Sequence, residues 1–178
     1  QNIIESYVDT HREEILEQWK TLVDLEGTAN EPEAMDTVVE HLRRIFTEAG
    51  VNCTLHRPNP QAPQVLTGVI GADRPGKPIL LGGHYDTVFR KGQFGPSPFR
   101  IDEAGKAHGP GCLDMKGGII IALYTIKALE AAGFRERPIR IVFCGDEEGG
   151  KYHFDVTPLI RDAAQGCICA LNMETGPI

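Results

Sequence analysis

The sequence predicts an α/β fold of three layers, with helices on both faces of a central mixed sheet that is mostly parallel. Three observations predict it. The apolar spacing changes from a helical to a β-type period near residue 51, and from there short apolar runs alternate with helical stretches. The polar groups that could carry chemistry then stand at the ends of those runs, where open α/β sheets bind their ligands.

The elements follow in order. Ile4, Val8, Ile15, Leu16, Trp19, Leu22 and Val23 recur near the helical period and predict one long amphipathic helix ending near Gly27. Asn30 is the expected N-cap of a second helix, with Glu33 three residues on; Met35, Val38, Val39, Leu42, Ile45 and Phe46 form its stripe and Gly50 its stop. Strands are expected in "VNCTLH", "QVLTGVIG" and "KPILLGG", separated by segments rich in Pro, Gly and Asn. A loop then leads through a small hairpin in "PFRIDEAGKAHG", turning at Glu103-Ala104-Gly105, to Asp114. Beyond it lie a helix from Met115 to Ala132 closed by Gly133, the strand "PIRIVFCG", a weaker helix near Val156 to Ala164, and the strand "CICALN".

Size and charge narrow the function. At 178 residues the chain suffices for one domain with its own core. Its 18 basic against 25 acidic residues, net charge −7, disfavour a nucleic acid or an anionic membrane surface as partner. No apolar run approaches the ~20 residues needed to cross a bilayer. Five cysteines without a CxxC pair argue against a disulfide framework and favour a reducing, cytoplasmic compartment, with Cys167 and Cys169 read as small buried hydrophobes on a strand face.

Four clusters carry the chemistry. His84 and Asp86 follow "PILLGG", Asp114 sits between "HGPGCL" and a helix, Asp146-Glu147-Glu148 follow "IRIVFCG", and Glu174 follows "ICALNM". Each alone reads as a cap, a surface pair or solvated charge. Together they place several carboxylates on one rim, where like charges cannot all ionise unless a cation neutralises them. One neutral imidazole with several carboxylates is a mixed N/O donor set suited to zinc, with manganese or cobalt as alternatives. "HGPGCLDMKGG" lacks the GK[ST] ending of a phosphate loop, no GxSxG elbow occurs, and His11, His41, His56, His108 and His153 read as structural or surface groups.

Taken in order, "GGHYDTV", "GPGCLDMKGG", "GDEEGG" and "LNMETG" resemble the M20 family of metallopeptidases, with greatest similarity to its glutamate carboxypeptidase branch, from about Leu22 to the last residue. The resemblance implies a zinc-exopeptidase-like fold and two zinc ions. It implies that His84 and Glu174 bind one ion, Asp114 bridges both, Glu148 binds the other, Glu147 is the catalytic base, and Asp86 orients His84. The implied substrate is a small peptide or an N-acyl amino acid. Family members continue into a lid or dimerisation domain and a return segment with one more metal-binding histidine. Residues 1–178 are therefore expected to be the N-terminal part of a single catalytic domain, inactive alone, whose complete chain forms a homodimer through the lid. A non-catalytic metal-binding or regulatory module is the alternative. After "DEEGG" the sequence departs from the family's usual small or hydroxyl residues, with Lys151, Tyr152 and His153.

Overall fold

The structure, a computed structural model, describes residues 2–149 and 153–176. Its frame is a five-stranded sheet in the order β1-β2-β6-β3-β7, formed by Asn52–His56 (β1), Val65–Ile70 (β2), Ile79–His84 (β3), Ile139–Cys144 (β6) and Cys169–Asn172 (β7). The sheet is mixed: β2 runs antiparallel to both β1 and β6, while β3 lies parallel to β6 and to β7. The parallel character is thus confined to the half that carries the clusters. A separate small hairpin pairs β4 (Arg100–Ile101) with β5 (Ala107–His108), and Gly105, at φ +77°, makes the expected turn.

Helices cover both faces. α3 (Pro32–Glu48) packs on β1 and β2, α4 (Gly117–Ala131) on β3, and α1 (Ile3–Thr10) and α2 (Arg12–Asp24) ride on α4. The main core lies on this side, where Val38, Val39, Leu42, Ile45 and Phe46 of α3 meet Ile119, Leu123 and Ile126 of α4 and Leu66, Ile141 and Phe143 of the sheet. Each such side chain contributes about 1.5–3 kcal/mol by leaving water, so the sheet's inner face is firmly anchored. On the opposite face α5 (His153–Ala164) covers Val65, Leu80, Val142 and Cys144 through Val156 and Leu159. Arg140 on β6 donates to the carbonyls of Ala163 and Gln165, satisfying the end of α5.

The connections determine where a ligand fits. The chain leaves β3, returns through α4 on one face to the adjacent β6, then crosses through α5 on the other face to β7 beyond β3. Loops leaving the carboxyl ends of β3 and β6 diverge to opposite faces and open a crevice between them. His84 is the last residue of β3 and is paired in register with Cys144, the last of β6.

Several boundaries differ from expectation. The first helix is two, broken at His11, whose backbone N–H donates to Tyr7 and Val8, whose Nδ1 lies 2.7 Å from the Tyr7 carbonyl and whose ring stacks on Tyr7. The cap of α3 is Glu31, not Asn30, because Pro32 favours the first helical position and keeps the residue before it, at φ −120° and ψ 72°, out of the helical region. α4 begins at Gly117 rather than Met115, since Asp114 (φ −113°, ψ 99°) and Met115 (φ −130°, ψ 30°) are not helical. α5 starts three residues before Val156. Cys167 is half-buried against α5, but Cys169 is exposed, because β7 is an edge strand whose residues face solvent. Lys151 and Tyr152 of the departure after "DEEGG" lie outside the described residues.

Candidate metal centre

His84 is the anchor of the site and is 1% exposed. Its strand delivers it to the rim, and its backbone N–H meets Met115 Sδ at 3.0 Å, so β3 and the Asp114 loop touch directly. Gly83 makes that contact possible, since a Cβ there would come within 2.2 Å of Met115 Cε. The ring's Nδ1 faces Asp86, 3.1 Å from Oδ1 and 3.2 Å from the backbone carbonyl. That leaves Nε2 for the crevice, where it lies 2.8 Å from Glu174 Oε1, 3.1 Å from Asp114 Oδ1 and 3.8 Å from Glu147 Oε2.

The carboxylates arrive from three directions. Asp114 projects from the distorted turn Cys112–Lys116, entered through Gly111 in the left-handed region at φ +70°. Glu147 and Glu148 follow β6. Glu174 follows β7 and is set by close backbone approach: Met173 donates to the Gly82 carbonyl at 2.9 Å, and a Cβ on Gly118 would stand 1.9 Å from the Met173 carbonyl oxygen. Donor atoms of His84, Asp114 and Glu148, and likewise of His84, Glu147 and Glu174, lie within 4.8 Å of one another.

Asp86 does more than orient His84. It is fully buried, Oδ1 accepts the Glu147 backbone N–H at 3.2 Å, and Oδ2 accepts that of Glu148 at 3.0 Å. One carboxylate therefore holds the imidazole and the two glutamates in a single frame. Nothing in the sequence signals these bonds, because every residue but proline carries the donating N–H. Asp146, by contrast, is buried below the rim and outside both donor groups. His108 pairs with Asp102 and His41 with Arg44, in the structural roles expected of them.

Charge at the site is unbalanced without a cation. Burial pushes up the pKa of both Glu148 and Glu174, and Asp114 and Glu147 nearby add to it. Burial alone would lower that of His84, but the Asp86 hydrogen bond and charge, joined by Glu174 and Glu147, push it up to about 9. Within the cluster of donor groups, His84 is the residue that can carry a positive charge. A divalent ion would relieve the same repulsion, and the imidazole–carboxylate donor set with an open side suits zinc. The residues fit the group.

A pH dependence follows. Folded His84 binds its proton more tightly than unfolded His84, so its contribution to stability is complete below about pH 6.5 and is lost as pH rises through about 9. Zinc affinity should move the other way over that window, because the ligating nitrogen must be unprotonated. Thermal melts in chelator, beside zinc calorimetry at the same pH values, should show opposite slopes. Parallel slopes would contradict this account of His84.

Comparison with known proteins agrees with this geometry. The profile of peptidase family M20/M25/M40 matches residues 80–175, a span that contains every member of the cluster. The chain belongs to peptidase family M20/M25/M40. Carboxypeptidase G2 of Pseudomonas sp. (strain RS-16) is 41% identical over 102 residues, which cover 57% of this chain and 24% of that protein. The Cys-Gly metallodipeptidase DUG1 of Saccharomyces cerevisiae is 34% identical over 116 residues, 61% of this chain and 24% of its own length. The chain thus spans about a quarter of the length of these M20 relatives. The crystal structure of human carnosine dipeptidase 1 superposes with a TM-score of 0.80 at 18% identity, over 99% of this chain and 41% of that one, which establishes the shared fold. Among the described residues of this M20 chain no helix is long and apolar enough to cross a membrane.

Proposed function

We propose that the chain provides the metal-binding crevice of a two-zinc hydrolase that cleaves an amide bond in peptides or N-acyl amino acids, a carboxypeptidase or related amidohydrolase. The observation that carries this reading is the convergence of His84, Asp114, Glu147, Glu148 and Glu174 on one rim, framed by the buried Asp86. Names among the family's relatives, a carboxypeptidase and a metallodipeptidase, support the reaction class.

Bound ions supply acidification of water and polarisation of the amide carbonyl. The chain's residues do the rest. His84 Nε2 and Glu174 would hold one ion, Glu148 the other, and Asp114 would serve both. Asp86 keeps the proton of His84 on Nδ1, so that Nε2 presents its lone pair. Glu147, 57% exposed at the rim, takes a proton from the attacking water and delivers it to the leaving amine nitrogen. A backbone held by Asp86 keeps this base beside the ligands.

The test is zinc binding by calorimetry at neutral pH. Zinc binding is expected for the unaltered chain, and Glu174→Gln should weaken it at least about 10-fold while leaving the fold intact by circular dichroism. Failure of the unaltered chain to bind zinc, or indifference to the loss of Glu174, would overturn the reading.

A further inference from the structure

Leu25–Gly27, the first part of the seven-residue connection between α2 and α3, lies outside the span matched by the family profile, yet it is bonded to two of the loops that form the site, the one after β3 and the one that carries Asp114. The Leu25 carbonyl accepts Lys116 Nζ at 2.7 Å. Glu26 Oε2 accepts the Gly92 N–H at 2.8 Å. The Gly27 carbonyl accepts both the N–H and the hydroxyl of Thr87, each at 3.2 Å. Thr87 adjoins Asp86, and Lys116 stands two residues beyond Asp114, so the two ligand loops are tied to one short segment.

Lys116 is the unexpected member. It is fully buried, and an ammonium withdrawn from water costs several kcal/mol unless it is compensated, so a methionine would fill the same space at lower cost. Glu26 is 6% exposed, its Oε1 is buried without a hydrogen-bond partner, and its charge acts on Lys116 more strongly than any other. The packing is tight around this pair of charges. A Cβ on Gly111 would come within 2.8 Å of Thr87 Cγ2 and 3.2 Å of Lys116 Cδ, and Lys116 N donates to the Gly111 carbonyl at 2.8 Å.

We propose that Lys116 and Glu26, acting through Leu25–Gly27, are positioning residues that clamp the Asp114 loop against the His84–Thr87 loop and so set the spacing of the metal ligands. The inference rests on the metal-centre reading above for its purpose, but the clamp itself is a property of the chain without metal. A lysine serves where an apolar residue would not, because only a donor can reach across to a backbone carbonyl 91 positions earlier in the chain. The buried carboxylate of Glu26 then compensates its charge.

The test combines amide exchange without metal and zinc calorimetry on the full chain. Lys116→Met should speed exchange over residues 109–116 by about 10-fold or more while β3 and β6 keep their protection, and should weaken zinc about 10-fold. Adding Glu26→Gln removes the carboxylate left uncompensated, so the double variant should regain melting temperature but not zinc affinity. Glu26→Gln alone keeps an acceptor for Gly92 and should loosen the same segment about 3-fold, which decides the matter if Lys116→Met does not fold. Zinc affinity that recovers together with melting temperature, or unchanged local exchange in both single variants, would overturn the clamp. If the unaltered chain takes up no zinc, the metal reading fails and exchange alone judges the clamp.

Discussion

In the complete chain, Glu147→Gln is expected to reduce turnover by about 10²–10⁴-fold while zinc stays bound. Glutamine has the same shape, and the bond that places residue 147 runs from its backbone N–H to Asp86, which the substitution leaves untouched. The side chain stands at the exposed edge of the crevice, and His84 holds closer contacts with Asp114 and Glu174 than with Glu147. The ligand frame should therefore survive, and the loss should appear in kcat with KM little changed, because a group that moves a proton acts mainly in the transition state. Steady-state kinetics on a peptide with a free carboxyl end and on an N-acyl amino acid, with zinc content measured on the same samples, gives the comparison. Near-normal kcat with zinc retained would exclude Glu147 as the base; loss of zinc with loss of activity would make it a ligand instead.

Much of the fold is legible in the sequence because the strands read as short apolar runs and α3 and α4 carry full helical stripes. "KPILLGG" and "PIRIVFCG" fall on β3 and β6, and Gly50 and Gly133 close α3 and α4 in the left-handed region, at φ +89° and +75°. The break at His11 was hidden because the apolar spacing continues across it, and only the ring's contact with Tyr7 reveals the new start. The sequence does not mark Glu31 as the cap, because Asn30 has the better side chain for the role, whereas Pro32 decides by backbone geometry. The candidate site was readable as four separate clusters, and the structure adds the reason they meet: diverging crossovers after β3 and β6. The clamp was not readable, since a lysine in "DMKGG" looks like an ordinary solvated charge until its burial is known.

Asp86→Ala is expected to be the most damaging single change to the centre as a whole. It strips the carboxylate from three groups together: the N–H groups of Glu147 and Glu148 lose their acceptor, and His84 Nδ1 is left with the backbone carbonyl of residue 86 at 3.2 Å, beside a fully buried position. Each stranded donor costs about 1–3 kcal/mol, and since the effects overlap, a total of about 3–5 kcal/mol is expected. For a chain of this size that is a fall in melting temperature on the order of 10 °C. Zinc should weaken about 10–100-fold as well, because His84 loses the carboxylate that raises its basicity and the loop of Glu147 and Glu148 loses its tether. Asp86→Asn should be milder. Its carbonyl oxygen, in the place of Oδ1, can still accept from His84 and Glu147, but its amide group turns a donor toward the Glu148 N–H, so stability and zinc affinity should each recover only in part. Melts in chelator and zinc calorimetry on both variants provide the measurement. Zinc affinity within about twofold of the unaltered chain in a folded Asp86→Ala variant would mean that the metal ligands are held by their strands alone and that the buried carboxylate only fills space.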